Sequence, residues 1–138
     1  MSNWKYYDPR EMTPQEIIDA SVSHVISQGK PCIDENTGTC VYRRHGGLQC
    51  AASIFISDSE YKEKWDMEID GVPFFEAIGK VTNPPESKKI GLITKLQQMH
   101  DDTANMQVSD EEFIKMYKEH CIDAIPEIGY TVPSIVYE

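Results

Sequence analysis

The sequence predicts a mainly α-helical fold, α+β at its margin: a single domain over residues 1–138 in which helices carry a small β-hairpin. Three observations point there. Capping-box spacings recur at Thr13, Ser57 and Ser109, where a hydroxyl and a glutamate three residues later can satisfy the free donors of a first helical turn. Apolar residues follow the first and last of these at helical spacing, whereas β-branched and aromatic residues gather in short pieces. A chain of 138 residues is also long enough to bury a core without staples.

Residues 1–12 carry Trp4, Tyr6 and Tyr7 without a period and read as an irregular arm packed by its aromatics. Thr13, Pro14 and Glu16 then start a helix whose Ile18, Val22, Val25 and Ile26 make one buried face, stopped by Gly29. Pro31–Ile33 and Cys40–Arg43 read as short strands, with Asn36-Thr37-Gly38 joining them in a hairpin. Leu48–Ile56 fits two patterns: Leu48, Cys50, Ala52, Ile54 and Ile56 alternate as in a strand, while Leu48, Ala51, Ala52 and Phe55 share a helical face. Alanine tips the reading to helix.

A short helix is expected from Asp58, turning Tyr61 and Trp65 inward, and one or two helical turns over Pro73–Ile78. Asn83-Pro84-Pro85 is a linker too short to divide domains. The next helix, Ser87–Thr103, would bury Leu92, Ile93, Leu96, Met99 and His100. The last, opened by Ser109 and ending before Pro126, would bury Phe113, Met116, Tyr117, His120, Cys121 and Ala124. The tail Tyr130–Tyr137 is β-prone, and Pro133 confines it to a sheet edge or an extended packed strand.

Composition excludes several function classes. A formal charge of -10 argues against direct nucleic-acid binding, since the chain would bring like charge to phosphates. Between Asp58 and Glu76 seven acids face Lys62 and Lys64, and from Asp110 to Glu138 seven more face Lys115 and Lys118. Solvated helix faces explain this; an acidic imitation of a nucleic-acid backbone is the alternative. The start Met1–Lys5 has no signal-peptide character and the apolar runs are too short to span a bilayer, so no membrane partner is expected and Cys32, Cys40, Cys50 and Cys121 read as reduced thiols.

The densest chemistry lies at Tyr42, Arg43, Arg44, His45, Gly46 and Gly47. Two guanidiniums beside paired glycines can cradle a phosphate or carboxylate, although neither the Walker spacing nor a dinucleotide turn is present. The plain alternative is an arginine paired with one of the protein's own acids and glycines that only make a turn. Cys50 with His45 as base would make a nucleophile, but the small residues after Cys50 point to close packing. Cys32, Cys40, His45 and Cys50 have poor zinc spacing, so no metal or cofactor is expected. His100 and His120 read as hydrogen-bonded core residues; His24 carries no signal of its own.

Cys40, Tyr42, Arg43, Gly46 or Gly47, Leu48, Cys50, Ala51, Ile56, Asp58 and Tyr61 form a Cys-x-Tyr-Arg, Gly, Leu-x-Cys-Ala, aliphatic, acid, Tyr pattern. In this the chain resembles a family of small uncharacterised bacteriophage and prophage proteins. Ile26–Lys30 and Leu96–Asp101 resemble it too; Ser53 stands where glycine is expected, which puts a tight packing contact in doubt. The resemblance implies a phage-encoded protein of the host cell cytoplasm and no activity. The expected function is a non-enzymatic accessory protein that binds a host component, either a phosphorylated small molecule or a protein surface, and counteracts host defence. A small enzyme using Cys50 and His45, and an acidic nucleic-acid mimic, are the alternatives; homo-oligomerisation is left open.

Overall fold

The computed structural model describes residues 4–34, 38, 40–44, 46–62, 66 and 84–138. The fold is mainly α with a small antiparallel hairpin. In order come α1 (Pro14–Gln28), β1 (Arg43–Arg44), β2 (Leu48–Gln49), α2 (Ser87–Ala104) and α3 (Asp110–Glu127), with 3-10 turns at Pro9–Glu11, Ser53–Phe55 and Ser134–Tyr137. Helix α2 packs against both α1 and α3, and the C-terminal turn closes over α1 and α3. Among the described residues no helix is long and apolar enough to cross a membrane.

The helix starts follow from their caps. Thr13 accepts from the Glu16 amide while the Glu16 carboxylate accepts from the Thr13 amide, a complete capping box, and Gly29 ends α1 at φ 78°, a conformation that disfavours side-chain-bearing residues. Ser109 caps α3 by accepting from the Glu112 amide. That helix runs through Pro126 to Glu127 and does not stop before the proline as expected: Pro126 lies in the last turn, its ring in solvent, and the chain turns out through Ile128 and Gly129. Met116 and His120 are half-buried, so the stripe of α3 that is fully covered is narrower than its period suggests.

Leu48–Ile56 corrects the helical expectation. Only Leu48–Gln49 is strand, and a turn and one 3-10 turn follow. Cys50 to Ile56 are nonetheless buried throughout, so an irregular backbone crosses the core and its polar groups must find partners. Polar side chains of the helices supply them. The Ser21 hydroxyl donates to the Ala51 carbonyl at 2.9 Å and His24 Nε2 to the Gln49 carbonyl at 2.9 Å. Gln28 accepts from the Gln49 amide at 2.9 Å and donates to its carbonyl at 3.0 Å. From α2, Gln97 accepts from the Ala52 amide at 2.9 Å. The polar line Ser21, His24 and Gln28, spaced three and four apart on α1, thus does for this segment what a neighbouring strand would do.

The N-terminal arm is held by the same segment. Gln49 accepts from the Lys5 amide and donates to the Lys5 carbonyl, and the Tyr7 amide donates to Ile54. The arm is less covered than expected, since Tyr6 and Tyr7 are exposed and Trp4 is half-buried. Asp8 caps the first 3-10 turn and holds Arg10. The tail forms a 3-10 turn and not a strand, with Val136 in the core.

The hairpin also sits later than expected. Ile33 and Cys40 form an isolated antiparallel bridge, with Asn36 and Thr37 outside the described residues. The ladder pairs Arg43 with Gln49 and Arg44 with Leu48. Gly46 and Gly47 turn it at φ 88° and 84°, which only glycine adopts without strain. At Asp58–Glu60 the chain makes a turn, not a helix, with Ser57 hydrogen-bonded to Glu60. Trp65, Pro73–Ile78 and Asn83 lie outside the described residues.

Candidate functional site

The hairpin is built on one carboxylate. Asp66 accepts from the Tyr42 amide at 2.7 Å, from the Arg43 amide at 3.2 Å and from the Tyr61 hydroxyl. Burial pushes its pKa up, against the hydrogen bonds that favour the charged form. Nothing in the sequence marks Asp66 out from the acidic run around it, because its role depends on the fold bringing residues 42, 43 and 61 to it.

Arg43 fills the space beneath the hairpin. Its Nη1 meets Asp58 Oδ1 at 2.8 Å and its Nη2 donates to the Ile56 carbonyl at 3.1 Å. The guanidinium lies 4.4 Å from the Tyr61 ring centre and 5.1 Å from that of Trp4, both within cation–π range. Only 7% of the side chain is exposed, and Nε has no hydrogen-bond partner among the described residues. This cation therefore clamps the arm and the 56–61 turn to β1. Arg43→Ala is expected to cost about 2 kcal/mol, from two cation–π contacts and a charge-assisted hydrogen bond with the Asp58 pair discounted for its exposure, read as a lower urea midpoint.

Of the other expected site residues, Tyr42 is buried, Arg44 is half-buried, and Gly46 and Gly47 are exposed at the tip. His45 lies outside the described residues. The structure thus joins Tyr42 and Arg43 to the core, half-buries Arg44 and leaves Gly46 and Gly47 at the surface.

Cys50 is fully buried and burial pushes its thiol well above the usual range, the opposite of what a nucleophilic thiolate needs. Cys32 and Cys40 are pushed up by burial as well, and Cys121 to about 12. Ligand atoms of Cys40, His100 and Asp101 lie within 4.8 Å of one another. The tautomer of His100 opposes a metal there: Nε2 accepts from the Cys32 amide at 3.2 Å, which places the ring proton on Nδ1, donating to Asp101 at 2.9 Å. Neither nitrogen keeps a lone pair to offer. His100 is the hydrogen-bonded core residue expected, its ring edge-on to Phe113 at 5.7 Å.

On α3, Asp110, Glu111, Glu112, Glu119, Asp123 and Glu127 are exposed, with Lys115 exposed among them. No protein-family model, curated protein or solved structure matches this chain.

Proposed function

We propose that the chain is a non-enzymatic phage accessory protein, working in the host cytoplasm, that binds a host protein through the tip of the β1–β2 hairpin and so counteracts host defence. The observation that carries this reading is the contrast between the tip and its base. Gly46 and Gly47 are exposed, while Tyr42 and Arg43 earlier in the hairpin are anchored by Asp66 and by the Arg43 clamp. A short loop held on a rigid base loses little conformational entropy when it docks, which favours recognition. Of the two kinds of host component, a protein surface fits better than a phosphorylated small molecule, since the Arg43 guanidinium is engaged inside the fold. The buried, protonated Cys50 supports the non-enzymatic reading.

The test is native mass spectrometry of the protein gently purified from bacterial cells, beside Arg44→Glu. A retained protein partner present on the wild-type chain and lost from a folded Arg44→Glu variant is expected. A retained phosphorylated small molecule in its place, or a partner that the charge reversal leaves bound, overturns the reading.

A further inference from the structure

The N-terminal arm lies on the protein as an extended peptide lies on a receptor. The side chain of Gln49, 44 positions away, pairs with the backbone of Lys5 as a neighbouring strand would: Oε1 accepts from the Lys5 amide at 2.8 Å and Nε2 donates to the Lys5 carbonyl at 3.0 Å. Two residues on, the Tyr7 amide donates to the Ile54 carbonyl at 2.7 Å. Trp4 sets its ring 5.1 Å from the Arg43 guanidinium.

The hold on the arm is thin, and the seat beneath it is not. Lys5, Tyr6 and Tyr7 are exposed and Trp4 is half-buried, so the segment is of the kind that opens at small free-energy cost. An empty seat costs more: Gln49 is 2% exposed, Ile54 and Phe55 are buried, and Arg43 would lose an aromatic face. The chain is fixed again just past the arm, where Pro9 is buried and Lys89 Nζ donates to the Arg10 carbonyl at 3.3 Å. The pivot for release is therefore Asp8. The arm that fills the seat need not be the chain's own, because a second copy brings the same residues and restores every one of these contacts.

We infer that the arm is an exchangeable element, and that two copies of this chain pair by each seating residues 4–7 in the other's groove, Trp4 over Arg43 and Lys5 on Gln49. The pairing does not rest on the reading of the hairpin tip. A short tether holds an arm at an effective concentration on the order of millimolar, so exchange sets in as the protein approaches that range. Each copy carries a charge of -10, so repulsion opposes the pairing and salt favours it.

The test uses the full chain under reducing conditions. Sedimentation should show a dimer that grows with protein concentration and with salt. In a mixture of isotope-labelled and unlabelled protein at about 1 mM, isotope-filtered NMR should show contacts from Trp4 of one copy to Arg43 of the other, which only an exchanged arm creates. Trp4→Ala separates exchange from an ordinary dimer. Its contact is made in monomer and dimer alike, so the dimer affinity should stay as it is. Exchange requires the arm to leave, so mixed dimers, followed by native mass spectrometry, should form about tenfold faster. A monomer throughout, a dimer without Trp4–Arg43 contacts between copies, or a Trp4→Ala dimer weakened as much as its exchange is quickened overturns the inference.

Discussion

Asp66→Ala should lower the unfolding free energy by about 3 to 4 kcal/mol, mostly through two backbone donors left without an acceptor. The Tyr42 and Arg43 amides donate to this carboxylate and the Tyr61 hydroxyl adds a third bond. Tyr42 is buried, so water cannot readily replace what is lost there. Tyr61 also stacks on Arg43, and loosening it would weaken the cation–π contact. Asp66→Asn, which keeps an acceptor oxygen but puts an amide donor on the other side, should cost roughly half as much. Urea unfolding of the two variants checks this. A loss below about 1 kcal/mol for the alanine variant, the level of an ordinary surface change, would show that the hairpin base does not depend on Asp66.

Acidification should destabilise the protein through His24 before the carboxylates are fully protonated. Burial, opposed by the bond to Gln49 and helped by the nearby charge of Lys5, brings its pKa down from 6.5 to about 4. The unfolded chain therefore takes up a proton below about pH 6.5 that the native protein refuses until about pH 4. Stability contributed by the neutral ring is whole above that window, falls through it and is gone below it. The difference of the two values corresponds to about 3 kcal/mol. His24→Gln, which can still donate to the Gln49 carbonyl, should lose that much less between the two ends of the window. Asp8 and Glu16, both held below the usual carboxylate range, the first by Arg10 and the second by Thr13, lose their contributions in acid in both proteins. Only the difference between the two proteins reports His24, and parallel pH profiles would sink the assignment.

The regular helices were readable because their signals are local. Thr13 and Glu16 cap α1 and Gly29 ends it through interactions within a few residues, and Leu92, Ile93, Leu96, Met99 and His100 share one side of α2 by spacing alone. The failures were non-local. Alanine propensity favours a helix over Leu48–Ile56, but Ser21, His24, Gln28 and Gln97 supply partners to an irregular backbone there, and those residues lie 21 to 45 positions away. His24 is illegible for the same reason: next to an apolar face a histidine looks incidental, and only the approach of Gln49 fixes its tautomer. The arginine pair stood out in the sequence as a site, yet a guanidinium facing a ligand and one facing the protein's own Asp58 look the same when written as letters.

By itself, then, the sequence determined that this is a mainly helical chain with a small hairpin, because caps and periodicity act over a few residues; that the ladder turns at Gly46 and Gly47 and not at Asn36-Thr37-Gly38 was decided by the fold. What tertiary structure alone decided is which polar groups are spent inside the fold: Arg43 and Asp66 beneath the hairpin, His100 between Cys32 and Asp101, and one face of His24 against Gln49. Hydrogen bonds between distant residues depend on packing geometry, and no short-range pattern encodes it.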